Sequence, residues 1–295
     1  MPDRSGADPA RLSWARSGIA ASDPETGPLD VRRLNTRNPS VARCFDALQG
    51  GKDNYAVDRA VVDAALEVSP GLDVATRDHR EWLLRVVRYL AGAAGVDQFL
   101  DIGSGLPAAE NTHEVAQRAN PDAVVVYVDH DPMVFTHGKA LLVDNDRTHF
   151  AFGDLTRPAD LLALPQIERA IDFSRPVAVL QAATLQHVGD AAAPHQVVAR
   201  YVDALAPGSY LALSHLVRPA DPAQVEVAAH LEKLMLAELG TGWFRDHDEI
   251  ARFFDGTELA EPGLVRPVDW WPDGPRMRPR VPAHDLVLCG LGRKP

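Results

Sequence analysis

Residues 98–107, with the sequence QFLDIGSGLP, constrain the fold of this 295-residue chain more than any other stretch. The apolar residues before Asp101 are typical of a buried strand, and Gly103 and Gly105 let the chain turn sharply after it. Glycine adopts positive φ without strain and carries no Cβ that would block a ligand. We expect a helix to begin near Ala108 and to point its free amide groups at the turn. The stretch therefore predicts a strand, a turn and a helix that bind a nucleotide-like cofactor.

Further along, the apolar pattern switches repeatedly between the periods of strands and helices. Apolar runs without alternation, such as residues 124–128, are typical of strands that are covered on both faces. The predicted strands are residues 98–102, 123–129, 149–152, 177–182 and 210–216. The predicted helices lie near residues 80–91, 108–119, 133–143, 158–164, 194–206, 223–239 and 246–254. This order predicts an α/β fold with a doubly wound, mostly parallel sheet.

The two ends of the chain differ from this alternating part. Residues 1–34 are rich in Pro, Gly, Ser, Asp and Arg and predict a mobile tail. Residues 35–92 have helical spacing, and we expect them to form a helical lid or cap on a Rossmann-like domain of residues 93–295. Residues 264–271 and 284–291 are strand candidates without a helix between them, which predicts an antiparallel pair at the C-terminus.

The loop inside the helical N-terminal region has two interpretations. Gly50 and Gly51 interrupt the helical pattern, so the loop can be a plain stop and restart between two helices. With Asn54 and Tyr55 at its tip, the same loop could close over a cofactor as a lid. We therefore include Asn54 and Tyr55 among the candidate cofactor-binding residues.

Composition argues against several classes of function. The chain has 30 Lys and Arg against 41 Asp and Glu, a net charge of -11, which disfavours binding to nucleic acid. Its two cysteines, Cys44 and Cys289, and its 11 histidines show no metal-ligand spacing, so we expect a cytoplasmic protein without a metal. No apolar run reaches the length that spans a membrane. These observations favour a small molecule as the partner and leave the oligomeric state open.

Acidic residues follow three successive predicted strands, at Asp101, Asp129 and Asp154. In an open parallel sheet, ligands bind outside the carboxyl ends of the strands, so these side chains are expected near the cofactor. Asp129 lies roughly 20–25 residues after the glycine turn, where a carboxylate can accept hydrogen bonds from ribose hydroxyls. Asp154 can instead cap a turn. The predicted contacts in these three segments are Asp101, Gly103, Ser104, Gly105, Asp129, His130, Asp154 and Leu155.

The glycine turn by itself also fits a loose dinucleotide fingerprint, so the cofactor must be decided by other features. A carboxylate at Asp101 would repel a pyrophosphate, whereas it suits the ammonium group of a methionine moiety. The acid after the third strand and the antiparallel C-terminal pair point the same way. The residues therefore favour S-adenosylmethionine. A non-catalytic protein that senses this cofactor and an NAD-dependent oxidoreductase stay open as alternatives.

Several stretches resemble a family of S-adenosylmethionine-dependent methyltransferases from actinobacteria that was once called a domain of unknown function. They are residues 42–55, 99–107, 127–132, 206–210 and 214–215. The resemblance implies a class I methyltransferase fold with a seven-stranded sheet and a helical N-terminal addition. It also implies cofactor roles for Asp101, Gly103, Gly105, Asp129 and Asp154, and it says little about the substrate.

Two histidines are candidates for catalysis. His187 and His215 follow the fourth and fifth predicted strands, where the methyl acceptor is expected, and either could serve as a base for a hydroxyl acceptor. Each can also be a structural residue, because methyl transfer from a sulfonium is a displacement that orientation and water exclusion accelerate without a base. The sequence predicts an S-adenosylmethionine-dependent methyltransferase that acts on an unidentified small molecule.

Overall fold

A seven-stranded sheet forms the centre of the computed structural model, which describes residues 35–274 and 279–295. Its strands are β1 (Gln98–Ile102), β2 (Val124–Asp129), β3 (Thr148–Phe152), β4 (Ala178–Gln181), β5 (Tyr210–Leu216), β6 (Glu258–Leu259) and β7 (Val287–Arg293). Their order across the sheet is β3-β2-β1-β4-β5-β7-β6. Strands β1 to β5 pair in parallel, whereas β7 is antiparallel to both β5 and β6. The predicted mobile tail, residues 1–34, lies outside the described residues.

Ten α-helices surround this sheet in the described part of the chain. They are α1 (Val41–Gln49), α2 (Ala56–Val68), α3 (Leu72–Gly92), α4 (Thr112–Ala119), α5 (Pro132–Leu141), α6 (Pro158–Leu162), α7 (Pro165–Ala170), α8 (Pro194–Ala204), α9 (Pro222–Glu238) and α10 (His247–Ala251). Within the described ranges, none of the helices is long and apolar enough to cross a membrane.

The sheet is covered on both faces, as the apolar strands predicted. Alternate residues of a strand point to opposite faces. On one face, Phe99 and Val125 pack in a cluster with Trp82 of α3. On the other, Leu100 and Val126 pack in a cluster with residues of α6, α7, α8 and α10. The predicted Rossmann-like fold, with its antiparallel C-terminal pair and helical N-terminal addition, is confirmed.

Strand β1 lies at the point where the strand order reverses, and this position decides where a ligand can bind. It pairs with β2 on one side and with β4 on the other. At such a switch point the loops after neighbouring strands diverge and leave a crevice at the carboxyl ends. The glycine turn at Gly103 and Gly105 therefore lies at the mouth of that crevice.

Four predicted boundaries were wrong, for local reasons. The helix expected near Ala108 begins at Thr112, and the helix expected over 80–91 begins at Leu72. The helix expected near 158–164 ends at Leu162 and a second helix begins at Pro165, because the residue before Pro165 is pushed out of the helical conformation. The fourth error concerns the C-terminal pair.

Residues 264–271 do not form a strand. They contain a single bridge, from Val265 to Cys289, and a 3-10 helix that begins at Pro267. Proline lacks the amide that a strand ladder requires. The two-residue strand β6 takes the edge position instead, and β7 begins only at Val287 because a 3-10 helix occupies Pro282–Leu286.

The three N-terminal helices pack differently from one another. Helix α1 contacts α2 and α3, and α2 also contacts α9. Helix α3, however, buries Trp82, Val87 and Leu90 directly against the sheet. The division between a cap of residues 35–92 and a domain of residues 93–295 stays a prediction. By its packing, α3 groups with the sheet domain.

Candidate cofactor and acceptor site

A cavity of about 290 Å³ lies at the carboxyl ends of β1, β2 and β4. Part of its wall comes from α1 and α3 of the N-terminal helices, including Phe45 and Leu83. The sheet side supplies nine of the residues predicted from the sequence, which are Asp101, Gly103, Ser104, Gly105, Asp129, His130, Asp154, Leu155 and His187. The remaining predicted residues, Asn54, Tyr55 and His215, do not line it.

The two glycines of the turn serve different needs. Gly103 has φ +76, and a Cβ there would lie 2.3 Å from Cγ2 of Thr184, so the packing of β1 against the loop after β4 excludes any side chain. Gly105 has φ +69, and a Cβ there would meet no atom within 4 Å. The turn therefore leaves open space for a ligand at Gly105, which is a wall of the cavity.

The amide groups of the turn itself are hydrogen-bonded within the protein. The amides of Gly103 and Ser104 donate to the carbonyl of Val128, at 2.8 and 3.1 Å. The amide of Gly105 donates to Oδ2 of Asp129 at 3.0 Å. Because α4 begins only at Thr112, its first turn is also displaced from the glycines. The amide groups of the turn therefore donate to residues at the end of β2 and not to a ligand.

Asp101 is almost completely buried at the cavity. It is 4% exposed, and its Oδ2 accepts a hydrogen bond from Oγ1 of Thr112 at 2.7 Å. Loss of hydration raises the pKa of this carboxyl to about 6, against the opposing effect of the nearby Arg80 charge. At neutral pH the group is an anion in a poorly hydrated wall, which favours a cationic ligand group.

Asp129 connects the end of β2 to the turn. Its two carboxylate oxygens accept from the amides of Gly105 and Asp131, at 3.0 and 2.9 Å. Each carboxylate oxygen has about two acceptor positions, so capacity for ligand hydroxyls is left. Burial raises the pKa of Asp129, and the imidazole of His130 is 3.8 Å from Oδ1.

The segment after β3 closes another side of the cavity. Oδ1 of Asp154 accepts from the amide and hydroxyl of Thr156, at 2.8 and 2.7 Å, so Asp154 stabilises a turn as its alternative interpretation predicted. The carbonyl of Leu155 accepts from the Tyr201 hydroxyl at 2.9 Å. Asp154 and Leu155 nevertheless both line the cavity.

Sequence reasoning missed Arg80 of α3, which also lines the cavity. Its Nη2 donates to the carbonyl of Glu110 at 2.7 Å, while its buried Nε has no hydrogen-bond partner. Although the charge of Arg80 lowers the pKa of Asp101, the guanidinium is not within 4.0 Å of any carboxylate in the described part of the chain. Arg80 is one helical turn before the buried pair Leu83 and Leu84, so the helical period places it on the inward side of α3 but does not show that this side meets the cavity.

His79, the preceding residue, is a second cavity residue that the sequence did not reveal. It is 4% exposed, and its Nε2 lies 2.7 Å from Oγ of Ser214, which accepts from the Ala183 amide. Its Nδ1 is buried without a partner. Burial lowers the pKa of His79 to about 4, so the ring is neutral at physiological pH.

Four buried polar atoms around the cavity lack a hydrogen-bond partner. They are Nδ1 of His79, Nε of Arg80, Oγ of Ser104 and Oγ1 of Thr184. An unpaired buried polar atom costs on the order of 1–3 kcal/mol. A ligand rich in hydrogen-bonding groups would fit this wall, and the predicted adenosylated amino acid is such a ligand.

His187 lies in a 3-10 helix after β4 and lines the cavity. Its Nδ1 is 3.1 Å from Oγ1 of Thr241, another lining residue. Burial lowers the pKa of His187 to about 4, with a smaller contribution from His130. The neutral ring is therefore the dominant form at physiological pH.

The structure gives His215 a structural position. It is fully buried inside β5, with Nδ1 2.7 Å from the carbonyl of Leu216 and Nε2 2.6 Å from Nη1 of Arg245. Its ring stacks on Phe253. Both ring nitrogens are engaged away from the cavity, so the catalytic alternative is not supported.

Asn54 and Tyr55 also stay outside the cavity. The side-chain amide of Asn54 donates from Nδ2 to Oδ2 of Asp46 at 2.8 Å, and Asp46 does line the cavity. Tyr55 is 42% exposed and lies 5.3 Å from the guanidinium of Arg43. These contacts stabilise the loop between α1 and α2, so neither residue contacts the cofactor space in this conformation.

Comparison with known proteins identifies relatives over nearly the full length. A family model described as S-adenosyl methyltransferase matches residues 29–295. A Thermobifida fusca protein assigned to the methyltransferases is 46% identical, with a TM-score of 0.83 over 88% of this chain and 97% of that one. A DUF574 family protein from Streptomyces avermitilis is 36% identical, with a TM-score of 0.82 over 89% of this chain and 100% of that one. Among curated proteins no sequence matches.

Proposed function

This chain belongs to the S-adenosyl methyltransferase family, and we propose that it methylates a small molecule held beside His187. The family makes it an S-adenosylmethionine-dependent enzyme. The residues that hold the cofactor, the size class of the methyl acceptor and the base are our proposal.

The observation that carries the proposal is a pair of opposite charges on the cavity wall that do not neutralise each other. Asp101 and Arg80 both line the cavity, and they are too far apart for an ion pair. The amino-acid end of S-adenosylmethionine carries an ammonium and a carboxylate. We assign the ammonium to Asp101 and the carboxylate to Arg80, since a separated pair of charges is complementary to a zwitterion.

The other cofactor contacts follow from the remaining walls. Asp129 would accept hydrogen bonds from the ribose hydroxyls, and Gly105 would give the cofactor room to approach the backbone. Ser104, His130, Asp154 and Leu155 would complete the nucleoside end. Ser104 supports this assignment most directly, because its hydroxyl oxygen is buried without a partner.

A small methyl acceptor is supported by how the cavity is enclosed. Phe45 of α1 and Leu239 beyond α9 face it from elements other than the sheet. Small-molecule sites are typically concave and mostly apolar, and apolar walls of this kind exclude water from the reaction. The cavity volume of about 290 Å³ is near the lower end of ligand pockets.

When bound, S-adenosylmethionine would supply a methyl group on a positively charged sulfur, and displacement at that carbon would leave the electron pair on sulfur and the sulfur neutral. The protein aligns the methyl acceptor with that carbon and excludes water, which can contribute about 7–11 kcal/mol to lowering the barrier. Nε2 of His187 takes the proton that the acceptor group loses when its bond to carbon forms.

Calorimetry on the full chain tests the cofactor assignment. We expect S-adenosylhomocysteine to bind and NADH not to bind. Asp129→Asn should weaken S-adenosylhomocysteine binding about 10- to 150-fold, the range for hydrogen bonds to a charged group. Asp122→Asn is the matched control, since Asp122 is exposed and pairs only with a surface arginine. Equal affinity in the Asp129→Asn variant would exclude the ribose assignment.

A screen with methyl-labelled S-adenosylmethionine and small-molecule extracts tests the transfer. We expect label to appear in at least one small molecule and to require His187. Binding of the cofactor without transfer to any compound would favour the sensor that the sequence left open. Transfer to protein or RNA when the screen is repeated with whole-cell extracts would contradict the small-molecule proposal.

A further inference from the structure

Two segments that are far apart in the sequence are joined beside the cavity. Residues 241–245, which we call the clamp, run alongside residues 185–190, the segment that carries His187. The amide of Trp243 donates to the carbonyl of Gln186 at 2.8 Å. A Cβ on Gly189 would be 3.0 Å from the Trp243 ring, so the two segments are in close contact.

Arg245 is the strongest part of the clamp. It is 2% exposed, and its guanidinium donates to the carbonyls of Leu185 and Val188, at 3.2 and 2.8 Å. It also pairs with Asp190 at 3.1 Å. A buried cation must be fully hydrogen-bonded to be tolerated, and here its partners are the residues on both sides of His187.

His215 completes the environment of Arg245. Its Nδ1 donates to the carbonyl of Leu216 at 2.7 Å, so its Nε2 carries no hydrogen and accepts from Nη1 of Arg245 at 2.6 Å. The histidine that the sequence suggested as a base therefore holds the arginine that anchors the other histidine.

Thr241, at the other end of the clamp, decides which nitrogen of His187 is protonated. Its hydroxyl donates to the main-chain carbonyl of His187 at 3.0 Å. A hydroxyl has one hydrogen, so the contact of 3.1 Å between Oγ1 and Nδ1 requires the hydrogen of Nδ1. Nε2 is then the unprotonated nitrogen, and in the described part of the chain the ring of His187 is hydrogen-bonded only through Nδ1.

We propose that Thr241 and Arg245 are positioning residues that hold His187 in the tautomer with a free Nε2 and fix its place at the cavity. Thr241 sets the tautomer, and Arg245 sets the backbone on both sides of the ring. The proposal deepens the proposed function, because it rests on His187 being the base for the methyl acceptor. Neither residue takes part in bond making.

Nitrogen-15 NMR of the histidine side chains tests the tautomer without any substrate. We expect His187, assigned by its loss in His187→Gln, to show a protonated Nδ1 and an unprotonated Nε2 in the full chain. Thr241→Val should shift it toward the form with a protonated Nε2, and Thr241→Ser should keep the wild-type form. A protonated Nε2 in the wild type, or an unchanged tautomer in Thr241→Val, would overturn the proposal.

Kinetics with a methyl acceptor from the screen test the effect on turnover. We expect Thr241→Val and Arg245→Lys to lower kcat at least about tenfold, within the contribution of a positioned base, with S-adenosylhomocysteine affinity within twofold of the wild type. Thr241→Ser should restore kcat. An equal loss of kcat and cofactor affinity would indicate general damage and overturn the positioning role.

The two failures are distinguishable. If the wild type binds S-adenosylhomocysteine but methylates nothing, the proposed function fails, and the NMR experiment still decides whether Thr241 sets the tautomer. If transfer occurs and the variants keep full kcat, the proposed function stands and the clamp is only structural.

Discussion

The two ends of the cavity are built in different ways. The proposed cofactor end has charged side chains, Asp101, Asp129 and Arg80, and most of their polar contacts are with nearby main-chain groups or hydroxyls. The end beside His187 has a neutral imidazole whose position depends on a segment more than fifty residues away. A zwitterionic ligand is bound by side chains whose charges are held in place. A base such as His187 must instead be neutral and must keep its ring in one orientation.

The largest expected effect comes from the His187 end. His187→Gln removes the proposed base and should lower kcat about 10²- to 10⁴-fold, while the charged end should keep its S-adenosylhomocysteine affinity. Steady-state kinetics and calorimetry on the same variant measure the two effects. His247→Gln is the control, because His247 is exposed and its ring contacts only Asp248. A parallel loss of cofactor affinity would show that the two ends are not separate.

The next prediction tests the role of Arg80 at the charged end of the cavity. Arg80→Gln should weaken S-adenosylhomocysteine about 10- to 150-fold and leave 5′-methylthioadenosine, which lacks the amino-acid end, unchanged. Competition calorimetry gives the ratio of the two ligand affinities in the wild type and in the variant. Arg88→Gln, on the exposed face of the same helix, is the control. Because Arg80 also holds the Glu110 carbonyl, weaker binding of both ligands would mean that the loop had moved and would contradict the zwitterion assignment.

The two turn glycines should respond differently to alanine. Gly103→Ala places a Cβ 2.3 Å from Thr184 at positive φ, so we expect a loss of about 2–4 kcal/mol in the free energy of unfolding. Gly105→Ala meets no atom and should cost only about 1–2 kcal/mol for its backbone conformation. Urea denaturation compares them, and equal losses would contradict the packing explanation.

The stability of the protein should also depend on pH. Burial lowers the pKa of His79 and His187 to about 4 and that of His215 to about 3, from an ordinary 6.5. The unfolded chain therefore binds protons below pH 6.5 that the folded chain does not, so the stabilisation is complete above that pH and is lost as the pH falls. Between pH 7.5 and 6 we expect the free energy of unfolding to drop by about 2 kcal/mol.

Urea titrations at those two pH values measure this drop. Near and below pH 6 the raised pKa of Asp101 acts in the opposite direction, since the folded state then binds an extra proton, but this one carboxyl offsets only part of the loss from the three histidines. A free energy of unfolding that rises between pH 7.5 and 6 would contradict neutral buried histidines.

Local sequence was sufficient for the charged end of the cavity. The apolar run before Asp101, the two glycines and the acid at Asp129 are features of single short segments, and the carboxyl ends of parallel strands converge in any sheet of this topology. Family resemblance agreed with this interpretation. The exception was Arg80, which required knowing which face of α3 meets the cavity.

The two histidines after β4 and in β5 show where local sequence was insufficient. Consecutive residues of a strand point to opposite faces, so Ser214 contacts His79 on one side of the sheet and His215 contacts Arg245 on the other. Nothing in the local pattern tells which face bears the cavity. Asn54 and Tyr55 were misplaced for a related reason, since Asp46 and Arg43 of the preceding helix hold them.

The amino-acid sequence alone thus determined the doubly wound, mostly parallel sheet, the glycine turn at the cavity and the acids around it, because each depends on the periodicity and chemistry of neighbouring residues. Tertiary structure alone decided which histidine reaches the cavity, which arginine remains unpaired there and which threonine sets the tautomer of His187. Those properties depend on contacts between segments separated by tens of residues, and such contacts form only when the helices and the sheet pack together.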